Sequence, residues 1–509
     1  MAASSITYQP AMGNGKIWDR LRLHPFLFDV LTTGLTQVAG LAANFILVGA
    51  VSKGMGVVTL GEYLLVRRIS AWLLAGSQLG IGIALPRQIA HTVEDAETRA
   101  KQYFLAGFVV VLVFIATTGT AAALNAQRVA HWCFNSENRA LVYAMLLLIF
   151  GTAAQCIVFS YFRGLERVQV ANLVILGGSV VVPLLAYGMT YKSHSASLLI
   201  ASIGGGLALV SAIWAVPRLA RVQQVRRHFF SDARQLLTDG IGRIPGDLAM
   251  GGLLAVGPML ASHYVGVAQN SYLLLGITCM MMAGVAFAPL STVLLARISR
   301  LLGTGRRTDV NEYLGHLRSA VWQLSLLLAV QGLIFARPLL LWWLGPSCLP
   351  GVPVICMLLL SVPAYMYFVA LRTVVDAASR VPYNARNSVI ALGSLLLLSA
   401  AAIRFCPPQK IVMGVAAATA VAVWVLALAT HRTLRSLKLA NLPARFDSLG
   451  LVALPAATSL AAQVVFHFQI TKIAFALVLA ANLGWMVLLL RKSQPQWLSF
   501  VWGVAFTRS

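Results

Sequence analysis

Residues 43–90 read ANFILVGAVSKGMGVVTLGEYLLVRRISAWLLAGSQLGIGIALPRQIA, two apolar runs joined by a short glycine-containing loop and closed by a proline and an arginine. The first run extends back to about residue 28 and the second covers about 69–86, each near the roughly 20 residues that cross a bilayer core. Hydrocarbon offers no partner to backbone N–H and C=O groups, so segments of this kind are expected to be helices. Between them stand Lys53, Arg67 and Arg68, the last two side by side. Everything else about the fold turns on whether this pattern repeats.

It does repeat, about fourteen times. Further runs lie near 102–124, 140–162, 168–190, 195–216, 238–262, 269–295, 315–340, 351–374, 385–403, 411–431, 448–468 and 471–490. The chain of 509 residues is 59% hydrophobic and only 11% charged, with a mean hydropathy of +0.80. Soluble domains are about a quarter charged, so the class is integral membrane. The formal net charge of +24 sits in short gaps between apolar runs, which suits juxtamembrane anchoring and argues against nucleic acid as a partner. Six dispersed cysteines without a CxxC pair suggest neither a disulfide framework nor a metal site. The polar residues 1–26 differ from a cleaved signal peptide, so the first run is expected to be retained.

Placing the N-terminus inside and alternating puts about 29 of the 39 basic residues on the inner side, a roughly threefold bias. Both termini then face the cytoplasm. Against this background the first outside segment, with Lys53, Arg67 and Arg68, is the exception.

An internal repeat is legible at an offset near 206. LTTGLTQVAGLA (31–42) aligns with LTDGIGRIPGDLA (237–249), and Tyr63 and Arg87 find counterparts in Tyr272 and Arg297. Parallel repeats of this type hold substrate between two halves. The expected architecture is all-α, with two six-helix lobes (1–220 and 221–438) around a central cavity and two further helices in 439–509. Gly276 and Ile277 stand where the arginine pair would recur, so the pair is not required by the repeat. Pro183, Pro245, Pro258, Pro289 and Pro363 fall in or at the start of spans and are expected to interrupt them.

No phosphate loop, HExxH or GxSxG constellation occurs. An ATP-driven pump or a catalyst is disfavoured, no cofactor is expected, and transport remains. Charges at membrane depth are functional candidates because burying them is costly. Arg243 and Asp247, spaced i,i+4, suggest either a site at the inner mouth or a structural ion pair. Arg372 and Asp376 repeat the spacing at a helix end, where a structural pair is the simpler reading. Arg87 and Arg297 close spans on the inside, where anchoring comes first and cavity lining second. Arg67 and Arg68 either snorkel to headgroups or present a cationic patch to an anionic cargo, and adjacent helical residues diverge by about 100°. Gln37 and Asn44 are polar residues at depth, suited to sugar hydroxyls or to a neighbouring helix. Tyr63, Trp72, Trp342 and Trp343 suit an interfacial aromatic belt.

GVVTLGEY (56–63), LPRQIA (85–90), YFRGLERVQVANL (161–173) and RIPGDLAMGGLLAVGPMLASHYVG (243–266) resemble elements of the polysaccharide-biosynthesis flippases. That family lies within the multidrug/oligosaccharidyl-lipid/polysaccharide (MOP) exporter superfamily. The resemblance implies two lobes around a V-shaped cavity. It further implies passage of a polyprenyl-diphosphate-linked oligosaccharide to the outer leaflet of a bacterial inner membrane, for exopolysaccharide, O-antigen or capsule assembly. Membrane lipid would surround it, with a polymerase and glycosyltransferases of the pathway as possible partners. The alternatives are a drug or organic-cation antiporter of the same fold, a flippase for the peptidoglycan lipid precursor, and a membrane glycosyltransferase or polymerase. A cation exporter would be expected to carry a buried carboxylate in its first lobe, where the first span has only Asp29 at its edge.

Overall fold

The computed structural model describes residues 25–90, 96–219, 229–285, 298, 301–302, 307–379, 381–439, 449–465 and 470–493. These are helical throughout: α1 (Pro25–Gly54), α2 (Val57–Ser77), α3 (Ile81–Ala90), α4 (Ala96–Leu124), α5 (Ala126–Phe134), α6 (Arg139–Gly164), α7 (Val168–Leu176), α8 (Val182–Thr190), α9 (Ala196–Leu219) and α10 (Phe229–Ile241). There follow α11 (Ile244–Ser262), α12 (Val267–Val285), α13 (Arg307–Ile334), α14 (Ala336–Leu344), α15 (Val352–Leu359), α16 (Val362–Ala378), α17 (Tyr383–Phe405), α18 (Ile411–Ser436), α19 (Leu449–Val465) and α20 (Lys472–Ser493).

Among the described residues nine helices are long and apolar enough to cross a membrane, or eleven if each of two bent pairs forms one span. α12, α19 and α20 lie in the three remaining expected runs. The bent pairs are α2 with α3 and the segment 346–359 with α16, each turning by 48°. Backbone chemistry accounts for both bends. Gly80 adopts φ +71°, a conformation open to glycine and costly for residues with a Cβ. Pro363 cannot donate an N–H and therefore begins α16. Pro183 and Pro245 likewise start α8 and α11, and Pro258 lies within α11. Pro289 is outside the described residues.

Two buried apolar clusters organise the molecule. One is built chiefly from α1 to α9, with Leu60, Leu85, Phe104 and Tyr161 among its members, and α10, the helix that leads into the second bundle, docks on it through Ala233 and Leu236. The other draws on α11 to α18, including Leu273, Leu317, Leu371 and Val415. The helix α2 forms the seam between the bundles, packing against α11 and α12. Small residues bring the backbones close there: a Cβ on Gly61 would lie 2.9 Å from the Val267 carbonyl, and one on Gly251 would lie 3.1 Å from Trp72. α19 docks on α13 and α20 on α19 through a polar cluster in which Gln331 donates to the Pro455 carbonyl and accepts from Ser459, while Asn482 donates to Ser459.

The candidate cavity and its two closures

A cavity of about 570 Å³ opens among α1, α2, α6, α7 to α9 and α12. It is formed chiefly by the first bundle, with Thr278, Met281 and Met282 of α12 forming the wall on the second-bundle side. The expected cavity between the lobes is thus lined from both sides of the seam, chiefly by the first. α1 supplies Gln37, Gly40 and Asn44, at helical spacing on one face. α2 supplies Tyr63, Arg67, Arg68 and Ser70.

The arginine pair is not in a loop before the second span, as the hydropathy boundary at residue 69 suggested. The helix begins at Val57, so at 1.5 Å per residue both arginines are embedded about 15 Å from its end. Two polar residues shortened the apolar run without ending the helix. Headgroup snorkelling is not what they do. Arg67 reaches Asn44 Oδ1 and, at 3.4 Å, the Tyr63 hydroxyl. Arg68 turns to the other bundle, donating from Nη2 to Thr278 Oγ1 at 3.0 Å and from Nη1 to the Met281 thioether. The two diverge as neighbouring helical residues must, yet both line the cavity. Among the described residues neither forms an ion pair. Two guanidinium groups therefore face a cavity that contains no carboxylate among its described lining residues.

The opposite wall carries a helical irregularity. Gly177–Val181 is a π turn between α7 and α8, and Gln155 of α6 donates to the Val174 carbonyl at 2.9 Å beside it. The Gln155 amide occupies the space that a Cβ on Gly178 would need. Single π turns are frequent at functional sites. Gln37 Oε1 and Ser70 Oγ, both buried, have no hydrogen-bond partner among the described residues.

The other expected candidates are elsewhere. Arg243 precedes α11 and Asp247 lies in its first turn, both exposed and outside the cavity. Among the described residues no ion pair joins them. A carboxylate there instead faces the positive end of the α11 dipole. Arg87 is exposed at the end of α3, also outside the cavity, and Arg297 is outside the described residues. At the other i,i+4 pair, Asn384 bridges the Arg372 carbonyl and Asp376. The aromatic-belt expectation also changes. Tyr63 is buried in the cavity wall, Trp72 donates to the Leu248 carbonyl of α11 at 3.1 Å, and Trp343 stacks on Phe45. Indole N–H groups need a partner once buried, and here the partners are carbonyls of the opposite bundle.

Contacts between the two halves of the chain tie them together at both ends. At the end marked by Gly80, α3 and α4 meet α10. A Cβ on Gly80 would lie 2.3 Å from the Gly240 carbonyl oxygen. Arg99 grips Asp232 through both carboxylate oxygens, at 2.6 and 2.9 Å, and Tyr103 donates to Gln235, which donates to Gln88. At the opposite end Trp343 of α14 stacks on Phe45 with ring centroids 4.3 Å apart, and its indole donates to the Phe45 carbonyl. Lys53 donates to the Trp342 carbonyl and Ser52 to that of Leu344. Nothing in the sequence announced these closures, because Arg99 and Asp232 are 133 residues apart and each resembles an ordinary charge near a helix end.

Asp232 is 1% exposed and Arg99 29%. Asp232→Asn is expected to lower the melting temperature of the detergent-solubilised chain, at a cost below the about 3–5 kcal/mol typical of breaking a fully buried pair. The double exchange Arg99→Asp with Asp232→Arg should restore most of the loss. A double variant as unstable as the single one would show that charge pairing is not what the contact contributes.

No family model matches the chain, and no curated protein matches it. Solved structures do. The lipid II flippase MurJ in its inward closed conformation superposes with a TM-score of 0.70 at 14% identity, over 93% of this chain and 100% of that one. The chain has the MOP exporter fold. Other structures with the MOP fold agree. An inward-facing multidrug-resistance MATE transporter of the MOP superfamily gives 0.59 at 14% identity, over 82% of this chain and 100% of its own. A mutant of the Vibrio cholerae MATE transporter VcmN gives 0.56 at 17%, over 81% and 97%.

Proposed function

We propose that this chain is a flippase carrying a polyprenyl-diphosphate-linked oligosaccharide across the bacterial inner membrane, by opening its two bundles alternately at the Gly80 and Trp343 ends. The observation that carries the reading is the pair Arg67 and Arg68 facing a cavity without a carboxylate among its described lining residues. A diphosphate supplies the missing anion, and guanidinium groups grip phosphate through paired charge-assisted bonds. The structural likeness to a lipid II flippase supports a lipid-linked cargo. The excess of Lys and Arg in alternate gaps sets the Gly80 end and both termini in the cytoplasm. Residues 1–220 and 221–438 act as the moving lobes, and 439–509 adds two helices beside the second. The cavity has the volume of a drug-sized site, so an oligosaccharide requires the bundles to part. Gln37 and Ser70 would meet sugar hydroxyls, and the pathway's polymerase and glycosyltransferases would act on either side of this step.

The test is reconstitution of the full-length chain in liposomes with a fluorescent polyprenyl-diphosphate trisaccharide. The expected result is chain-dependent appearance of the sugar at the leaflet accessible to an added lectin. No movement of this lipid, together with cation-gradient-driven extrusion of an organic cation such as ethidium, would overturn the reading in favour of the antiporter.

A further inference from the structure

Adjacent arginines in one cavity invite a single explanation, yet their contacts differ in kind. Arg67 stays within its own bundle, reaching Asn44 of α1 and Tyr63 of α2. Arg68 crosses the seam to two residues of α12, Thr278 and Met281. Thr278 donates its own hydroxyl hydrogen to the Leu274 carbonyl at 2.8 Å. Its oxygen is thereby committed to accepting from Arg68, and the residue is 3% exposed. A cation at membrane depth is thus held by a neutral hydroxyl and a thioether. Both are weaker partners for guanidinium than a phosphate, which adds the attraction of its own charge and accepts two parallel N–H···O bonds.

We propose that Arg68 is a latch between the bundles, closed on Thr278 and Met281 in the empty carrier and drawn off α12 when a diphosphate binds beside Arg67. This deepens the flippase reading and rests on its anionic cargo. Its physical basis is differential binding. A ligand shifts a conformational equilibrium only by what it gains in one state over the other, and the second arginine becomes available to the phosphates only after it leaves Thr278. Arg67 is then the residue that takes the anion in either state, while Arg68 is a positioning residue that converts occupancy into lobe separation. The repeat fits this division, since position 276 or 277 of the second half holds glycine or isoleucine, and one latch across one seam suffices.

Thr278→Val retains the branched shape and removes the acceptor. The measurement is hydrogen–deuterium exchange of the full-length protein in nanodiscs, with and without undecaprenyl diphosphate among the lipids. It reads the amides of residues 45–54 in α1 and of α14, which pack together at the Trp343 end. In the wild type, undecaprenyl diphosphate is expected to speed exchange there at least threefold. Thr278→Val should show the fast exchange without the lipid, and Arg68→Ala should be fast and unresponsive. Thr278→Val exchanging as slowly as the empty wild type would overturn the latch. Fast exchange in Thr278→Val with a wild type indifferent to undecaprenyl diphosphate would keep the latch and overturn the anionic-cargo reading beneath it.

Discussion

Replacing Arg67 with alanine is expected to reduce flipping of a polyprenyl-diphosphate-linked sugar by about 10- to 100-fold, with the protein still present in the membrane at normal level. The magnitude follows from losing one hydrogen-bonded charge, worth roughly 1.5–3 kcal/mol, from a cavity in which Arg68 is the one other cation among the described lining residues. Arg67→Lys separates two contributions. It keeps the field at that depth but loses the planar fork that matches phosphate geometry, so intermediate activity is expected. Initial rates in the liposome assay, with protein quantified in the same vesicles, check both. Equal activity of wild type and Arg67→Ala would remove Arg67 from the site. The variant should fold, because Arg67 is exposed into the cavity and its removal leaves no buried carboxylate unpaired among the described residues.

The second large effect concerns closure. Gly80→Val is expected to abolish flipping by preventing the Gly80 end from sealing. Two independent costs act at this residue. Its φ of +71° is unfavourable for any residue with a Cβ, a strain of roughly 1–2 kcal/mol. Beyond that, the Cβ would lie 2.3 Å from the Gly240 carbonyl oxygen, with Gly240 Cα only 2.5 Å away. Backbone atoms cannot rotate aside as a side chain can, so the two bundles must separate there. Gly242→Ala, two residues from Gly240 and with no atom within 4 Å of the added Cβ, is the matched control and should retain activity. The readout is transport rate together with hydrogen exchange in α3 and α10, which should rise in Gly80→Val alone. Normal transport by Gly80→Val would show that contact between Gly80 and Gly240 is not needed in the cycle.

Legibility of the site followed the kind of signal each residue gave. Gln37, Asn44, Arg67 and Arg68 were conspicuous because polar groups at membrane depth are costly, and all four meet in one cavity. Arg87, Arg243 and Asp247 gave the same signal from helix ends, where solvent reduces that cost, and they lie outside it. Thr278, Met281, Ser70 and Gln155 gave no signal, since each is an unremarkable component of an apolar helix. The π turn at Gly177–Val181 was equally silent, because the same residues also satisfy α-helical periodicity.

What the sequence by itself determined was the class, an all-helical membrane chain, with about fourteen spans and a repeat near 206 residues as its expectations. Length and apolarity settle this locally, because backbone groups in hydrocarbon must be paired within their own segment. The tertiary structure alone decided that the cavity belongs chiefly to the first bundle, that Arg67 and Arg68 face different partners, and that the two halves of the chain are tied together at both ends. Those outcomes depend on which helix faces approach one another over separations such as the 133 residues between Arg99 and Asp232. In a chain where nearly every helix face is apolar, hydropathy cannot distinguish the face that meets lipid from the face that meets another helix.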